Sequence, residues 1–153
     1  MLSAGNRAPD FTARNQHDEP VTLAELLRNG PLLLYFYPAD FTAGCTREAC
    51  SLRDLHAQLL AAGVSVAGVS PQNAKSHADF AAKYSLPFTL LCDPDKALAR
   101  AYGVVGPLGL GVRRASFLIS TAGLIQEAVL ADLRITRHEN FFRDVLAARQ
   151  HHT

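Results

Sequence analysis

Two cysteines, Cys45 and Cys50, are the residues of this chain most able to do chemistry. Cys45 follows the apolar run PLLLYFYP (31–38) and the loop ADFTAG, and a helical pattern begins at the cysteine itself. Open α/β sheets place their sites at the carboxyl ends of parallel strands. The free N–H groups at a helix start also favour a thiolate, which is the nucleophilic form of cysteine. The sequence therefore predicts a reactive Cys45, with a small buried side chain as the alternative.

A fast thiol enzyme needs more than a thiolate, because it must also stabilise its transition state with well-placed hydrogen-bond donors. Thr42, three residues before Cys45, offers a hydroxyl. Gly44 offers a backbone N–H that no side chain obstructs. Both residues are therefore candidate members of the same site.

The spacing of the two cysteines limits how they could react with each other. Cys50 lies five residues after Cys45 in the predicted helix. On an α-helix this spacing separates the two Cα atoms by roughly 8.6 Å, whereas a disulfide requires less than about 7 Å. If the two cysteines bridge, the first turns of the helix must unwind, and helix ends do open locally. The alternative is a Cys50 that only packs on the helix face.

The elements that position these residues alternate between apolar runs and helical patterns. Strands are predicted at 31–38, 64–69, 86–91, 114–119 and 124–130, after a short extended segment at 11–13. Helices are predicted at 45–62, 73–85 and 136–149, with short ones after Thr22 and before Gly103. Early strand–helix alternation predicts parallel pairing, and the late hairpin predicts an antiparallel edge. The predicted fold class is α/β, a central mixed β-sheet with helices on both faces.

Composition limits the partners and the compartment. The 153 residues, 48% hydrophobic and 19% charged, fit one globular domain spanning 1–153. Fifteen basic and fourteen acidic residues leave a net charge of +1, which gives no electrostatic case for nucleic acid or an anionic membrane. No apolar stretch approaches the roughly 20 residues of a membrane span. Three cysteines and an N-terminus without a signal-peptide pattern predict reduced thiols and a cytoplasmic location.

The most specific pattern is the segment PADFTAGC, which matches the peroxiredoxin signature Pro-x-x-x-Thr-x-x-Cys at Pro38, Thr42 and Cys45. The continuation CTREACSLRD resembles the Q-type subgroup, also known as bacterioferritin comigratory protein. The resemblance extends through APDF near the start, YFYP, FTLLCD and RRASFLIS. It implies a thioredoxin-like fold and a thiol-dependent peroxidase that reduces hydrogen peroxide and small organic hydroperoxides without a cofactor.

The resemblance also implies roles for individual residues. Cys45 corresponds to the peroxidatic cysteine, whose thiolate attacks the peroxide and becomes a sulfenic acid. Thr42 corresponds to the residue that hydrogen-bonds the bound peroxide, and Pro38 to the residue that shields the thiolate from water. In the family an arginine from a distant strand faces the thiolate. Arg114 matches that arginine, and strand alternation allows only one of Arg113 and Arg114 to face the site.

Cys50 resembles the resolving cysteine, which forms an intramolecular disulfide with oxidised Cys45. A thioredoxin-like or glutaredoxin-like reductant then restores both thiols. Oxidation is therefore expected to melt the start of the 45–62 helix. Because an internal resolving cysteine needs no partner chain, the resemblance suggests a monomer or a weak dimer. Phe41 is a candidate wall of the peroxide pocket.

Two rival functions would use the same residues. A general thiol–disulfide oxidoreductase would share the fold, but its Cys-x-x-Cys motif needs a cysteine where Thr42 stands. A non-catalytic metal-binding or partner-binding module would use Cys45, Cys50 and His56, whose spacing suits no common zinc pattern. Bound metal in the purified protein would favour this module.

Three further features carry weaker expectations. Cys92 is expected to be a buried structural thiol, because free cysteines are often buried, and the alternative is a resolving cysteine, which some relatives place elsewhere in the chain. Glu48 could orient arginines near the site, but on a helix surface it is expected to be a solvated charge. The segment 106–112 is short and apolar where several relatives carry a longer polar insertion, which leaves the substrate preference open.

Overall fold

The computed structural model describes residues 1–130 and 134–150. Its strands are β1 (Thr12–Arg14), β2 (Pro20–Thr22), β3 (Leu32–Phe36), β4 (Ser65–Ser70), β5 (Thr89–Cys92), β6 (Ala115–Ile119) and β7 (Ile125–Leu130). Its helices are α1 (Leu23–Leu26), α2 (Ala43–Ala61), α3 (Ala74–Tyr84), α4 (Ala97–Ala101) and α5 (Ile135–Gln150). None of the helices in the described ranges is long and apolar enough to cross a membrane.

In the part of the chain that the structure describes, seven strands form one mixed sheet in the order β2-β1-β5-β4-β3-β6-β7. The strands β3, β4 and β5 run parallel, and β6 and β7 continue the sheet antiparallel beyond β3. These are the parallel centre and the antiparallel edge that the sequence predicts. The antiparallel β1–β2 pair at the other edge is not predicted, since strands of three residues are too short to show a two-residue alternation.

The strand β3 lies inside the sheet, between β4 and β6, and is buried on both faces. Successive side chains from Leu32 to Tyr37 alternate between two separate apolar clusters, as strand geometry requires. The helices α1 and α4 cover one cluster, whereas α2, α3 and α5 cover the other, which includes Cys45. A strand buried on both faces needs no polar alternation, which explains the continuous apolar run. The expected placement of helices on both faces of the sheet is confirmed.

A short loop, residues 37–42, connects the carboxyl end of β3 to the start of α2. Thr42 has an extended backbone at the N-cap of α2, and its carbonyl accepts the N–H of Thr46 at 2.8 Å. The helix then continues unbroken from Ala43 to Ala61, so it contains both Cys45 and Cys50. This connection places Cys45 at the carboxyl edge of the parallel strands.

Candidate active site

Cys45 and Arg114 meet at the centre of the candidate site. Cys45 lies in the first turn of α2, and only 1% of its surface is exposed. Arg114 immediately precedes β6, the antiparallel neighbour of β3, and donates from Nη2 to Cys45 Sγ at 3.2 Å. A guanidinium at this distance stabilises a thiolate by its charge and by a hydrogen bond. The cysteine is therefore buried, but it has a cationic partner.

Glu48 is the second partner of Arg114, and the expectation of a solvated charge is wrong. Glu48 follows Cys45 by three residues, so both side chains project from the same side of α2. Its carboxyl group is fully buried and accepts a hydrogen bond from Arg114 Nη1 at 2.7 Å. Burial raises the pKa of Glu48 to about 7, although the charge of Arg114 opposes the rise. One guanidinium thus connects the thiol to a carboxyl group that titrates near neutrality.

Gly44 leaves room for this arrangement. A Cβ atom at Gly44 would lie 3.2 Å from Arg114 Nη2 and 2.8 Å from Cδ1 of Ile135 in α5. Both distances are shorter than ordinary van der Waals contact, so a side chain at this position would force one neighbour to move. Glycine at position 44 is therefore explained by the packing around it, in addition to the role expected of its N–H group.

Two buried side chains that sequence reasoning missed extend the polar cluster. His138 of α5 lies with Nδ1 3.0 Å from Ser116 Oγ and 3.8 Å from Glu48 Oε2. Ser116 is two residues from Arg114, so in extended chain the two side chains point to the same face. A lone serine in the apolar strand ASFLI is the signal that could have identified Ser116. The polar cluster therefore runs from α2 past β6 to α5.

Comparison with known proteins decides the family. Residues 4–128 match the model of the AhpC/TSA family. A protein of Coxiella burnetii named peroxiredoxin bcp is 41% identical over 143 residues, which cover 90% of this chain and 93% of that protein. The chain is a peroxiredoxin of the AhpC/TSA family. The chloroplastic peroxiredoxin Q of Arabidopsis thaliana is 40% identical over 126 residues, which cover 82% of this chain and 58% of the plant protein.

Solved peroxiredoxin structures share the fold. The peroxidoxin BcpB of Mycobacterium tuberculosis superposes with a TM-score of 0.90 at 32% identity, covering 97% of this chain and 98% of that one. The bacterioferritin comigratory protein of Xanthomonas campestris superposes with a TM-score of 0.81 at 32% identity, covering 93% and 91%. The thioredoxin-like peroxiredoxin fold is confirmed. This peroxiredoxin is a thiol-dependent peroxidase. The comparisons favour this function over the two rivals, a general thiol–disulfide oxidoreductase and a binding module.

The loop residues of the peroxiredoxin signature lie at the protein surface. Thr42 is exposed, and its hydroxyl donates to the carbonyl of Ala39 at 3.1 Å. Pro38 is exposed as well. Phe41 has a φ of +66° and packs its ring against Phe80 of α3, with 5.2 Å between the centroids. The structure thus directs Phe41 towards α3, and the peroxide-binding role of Thr42 and the shielding role of Pro38 stay predictions.

Cys50 is half-buried, and neither it nor Cys45 forms a disulfide in the reduced peroxiredoxin described by the structure. Both residues lie within the unbroken helix α2. Regular helix geometry separates their Cα atoms by roughly 8.6 Å, which is beyond the limit of about 7 Å for a disulfide. The folded helix therefore holds the two thiols apart.

Cys92 is less buried than the sequence suggests, so the expected burial is wrong, and its structural role stays a prediction. It is half-buried in β5, and its Sγ lies 3.8 Å from the carbonyl oxygen of Asn15. It also lines a cavity of about 570 Å³ whose wall includes residues of β1 and α4. Burial raises the pKa of the Cys92 thiol, which leaves it mostly protonated and weakly nucleophilic.

His56 was the third candidate ligand of the metal-binding hypothesis. Its ring packs against Phe88, with 5.8 Å between the centroids, and burial lowers its pKa. Among the residues that the structure describes, no three His, Cys, Asp or Glu side chains are grouped so that they could hold a metal ion. His56 is therefore not combined with the two cysteines into a ligand set.

Proposed function

We propose that Cys45 is the peroxidatic nucleophile of this enzyme and that its substrates are hydrogen peroxide and small organic hydroperoxides. The observation that carries this proposal is the 3.2 Å contact between Arg114 Nη2 and the buried Cys45 Sγ at the start of α2. The related Xanthomonas campestris structure is described in terms of alkyl peroxide reduction, which supports organic hydroperoxides as substrates here.

In the first step the thiolate of Cys45 attacks one oxygen of the peroxide and the O–O bond breaks. The attacked oxygen stays on sulfur as a sulfenic acid, and the other oxygen takes up a proton and leaves as water or an alcohol. Arg114 stabilises both the thiolate and the negative charge that moves onto the leaving oxygen. Glu48 fixes the guanidinium through the 2.7 Å bond to Nη1.

The remaining signature residues act on the bound peroxide in this proposal. Thr42 and the backbone N–H of Gly44 donate hydrogen bonds to it, and Pro38 and Phe41 form the rim of the entrance. Their places in the loop before Cys45 and at the helix start support these roles. No cofactor takes part, because the electrons for the reduction come from thiols.

In the second step Cys50 acts as the resolving cysteine. Its thiol attacks the sulfenic acid of Cys45, so an S–S bond forms, the S–OH bond breaks and water leaves. A thioredoxin-like or glutaredoxin-like dithiol then reduces the disulfide and is itself oxidised. Because both cysteines belong to one chain, the cycle needs no second protomer, and we propose a monomer or weak dimer acting as a single domain in the cytoplasm.

The test is peptide-mapped mass spectrometry of the reduced enzyme after one equivalent of hydrogen peroxide, with the remaining free thiols alkylated. A rapidly formed Cys45–Cys50 disulfide with alkylated Cys92 is the expected result. Sulfenic or sulfinic Cys45 without that bond would keep the nucleophile and remove Cys50 as its resolving partner. Three unmodified thiols would refute the proposed site. The variant Cys92→Ser is the matched control and should form the same disulfide at the same rate.

A further inference from the structure

A second buried polar cluster lies under the loop that precedes the reactive cysteine. Its centre is Asp40, whose carboxylate is buried although the loop itself is at the surface. The Tyr37 hydroxyl donates to Asp40 Oδ1 at 2.6 Å, and the Ser76 hydroxyl donates to Oδ2 at 2.7 Å. His77 Nδ1 lies 2.7 Å from the same Oδ2. The proposed peroxide chemistry uses none of these groups.

The geometry defines the hydrogen bonds of this pair. His77 is fully buried, and its two ring nitrogens face oxygen atoms: Asp40 Oδ2 and, at 3.0 Å, the carbonyl of Leu91 in β5. A carbonyl oxygen only accepts, so Nε2 must carry a proton. Burial alone would raise the pKa of Asp40, but the hydrogen bonds from His77 and Tyr37 lower it below its ordinary value. Asp40 is therefore a carboxylate, and it accepts a hydrogen bond from Nδ1 of His77.

The same helix, α3, holds the loop at a second point. Phe41, the residue after Asp40, has a backbone in the left-handed region with φ +66°. Its ring packs edge-on against Phe80 and contacts Tyr84, with centroids 5.2 and 6.4 Å apart. A non-glycine residue adopts this backbone conformation only where its surroundings fix it. Ser76 and His77 thus hydrogen-bond to Asp40, and Phe80 and Tyr84 pack against Phe41.

Asp40 and Phe41 lie between Pro38 and Thr42, the two signature residues of the loop. Asp40 is two residues after Pro38 and two residues before Thr42, and α2 starts directly after Thr42. We propose that the buried Asp40–His77 pair is a latch that positions this loop for peroxide reduction and has to loosen before Cys45 can reach Cys50. The inference rests on the proposed roles of those two cysteines. Asp40 and His77 are positioning residues, because neither acts on the peroxide itself.

The latch has opposite consequences for the two chemical steps. Peroxide attack needs Thr42 and the helix start held in place, so a weakened latch should slow the second-order oxidation of Cys45. Disulfide formation needs the first turns of α2 to unwind, so the same change should speed the first-order reaction of the sulfenic acid with Cys50. General destabilisation of the protein gives no reason for the first rate to fall while the second rises.

The experiment is a stopped-flow measurement of both rates, with each product identified by mass spectrometry. The substitution His77→Gln keeps a donor near Asp40 but removes the imidazole ring and one of its two hydrogen bonds. We expect it to lower the oxidation rate constant at least about tenfold, because small displacements of reacting groups are costly, and to raise the rate of disulfide formation. It should also yield less sulfinic acid at high peroxide, since the sulfenic acid is consumed sooner.

A matched pair of milder substitutions keeps the test valid if His77→Gln fails to fold. Tyr37→Phe removes one hydrogen bond to Asp40, whereas Tyr102→Phe removes the 3.0 Å bond to the Pro9 carbonyl in the other apolar cluster. Tyr37→Phe should change the two rates in opposite directions by about fivefold, the size of one buried hydrogen bond. Tyr102→Phe should change neither rate.

The outcomes separate the latch from the chemistry that it serves. If the unsubstituted protein forms no Cys45–Cys50 disulfide, the proposed resolving role of Cys50 fails and the latch fails with it. If that disulfide forms normally, but Tyr37→Phe and Tyr102→Phe behave alike, the proposed function stands and the latch is refuted. A fall in both rates for a His77→Gln protein that melts like the parent would also refute the latch, since a loosened loop should speed disulfide formation.

Discussion

Gly44 and Arg114 lie so close together that a side chain at Gly44 would crowd the guanidinium that contacts the thiol. A Cβ at this position would lie 3.2 Å from Arg114 Nη2, the nitrogen that also contacts Cys45 Sγ. The absence of a side chain at Gly44 therefore leaves room for Arg114, which precedes β6, to reach Cys45 in the first turn of α2.

This contact predicts that Gly44→Ala reduces activity without weakening the helix. Alanine stabilises a helix by up to about 1 kcal/mol relative to glycine, but its methyl group would displace Arg114 or Ile135. We expect the rate of Cys45 oxidation to fall roughly ten- to a hundredfold, as misplacement of a catalytic group does. Single-turnover oxidation and a thermal melt measure the two effects. The neighbouring, exposed Ala43→Ser is the control, and a Gly44→Ala enzyme with normal rates would contradict the argument.

The two-sided contact of Arg114 predicts that lysine cannot replace it. A single ammonium group lacks the planar fork that reaches Cys45 with one nitrogen and Glu48 with another. We expect Arg114→Gln to lower the oxidation rate by about 10²–10³, the usual effect of removing a transition-state donor, and Arg114→Lys to fall between. Arg113→Gln, one residue away and on the opposite strand face, should retain activity. Equal losses for both arginines would show that the alternation argument is wrong.

Most of the fold can be predicted from the sequence because each main helix or strand has a strong local pattern of apolar residues. The apolar run of β3 and the Leu-rich face of α2 identify the central strand and the helix that carries the cysteines. The β1–β2 pair escapes prediction because each strand has three residues. The strand β1 also pairs with β5, which is distant in sequence, so no local pattern reveals that contact.

The candidate site is predictable only where the chain itself brings residues together. Thr42, Gly44 and Cys45 lie within four residues of one another, whereas Arg114 is identified by its match to the family arginine, since strand alternation allows only one of Arg113 and Arg114 to face the site. Glu48 was misjudged because helix periodicity shows which side of α2 it occupies but not that Arg114 would accompany it into the interior. The approach of His138 to Ser116 depends on how α5 packs against β6, and tertiary packing of this kind leaves little trace in a single sequence.

The buried carboxyl group of Glu48 predicts an unusual dependence of stability on pH. Its pKa is about 7 in the folded protein, compared with an ordinary value of 4.5. Between these values the folded state binds a proton that the unfolded state has released, so stability falls as the pH rises through this window. Glu48→Gln cannot titrate, yet its amide oxygen can still accept from Arg114. We therefore expect the stability of Glu48→Gln relative to the parent to increase from pH 4.5 to about 7, by at most about 3 kcal/mol.

Urea unfolding curves at several pH values measure this difference directly. Glu127→Gln, an exposed carboxylate on β7, is the control and should follow the parent at every pH. If the Glu48→Gln and parent curves stay parallel across the window, Glu48 does not hold a proton in the folded state near neutrality.

The position of Glu48 between the two cysteines also determines what disulfide formation must disrupt. The helix cannot bring Cys45 to Cys50 while residues 45–50 keep helical geometry, so the Glu48–Arg114 hydrogen bond at 2.7 Å has to be given up or rebuilt. The surface pair of Arg47 and Glu139, which connects α2 to α5 at 2.7 Å, adds little resistance because solvent screens it.

Oxidation should therefore melt the start of α2 and leave the rest of the helix in place. In amide hydrogen exchange we expect the segment from Ala43 to about Leu52 to lose protection in the disulfide form, because its helical hydrogen bonds are broken. The segment from Leu55 to Ala61 should keep its protection, since buried Leu59 anchors it to the core. Cys50→Ser oxidised to the sulfenic acid is the control: without a disulfide, its helix start should exchange like the reduced parent. Equal protection of the helix start in the reduced and disulfide forms of the parent would mean that the two sulfurs meet without unwinding, and the predicted melting of α2 would be wrong.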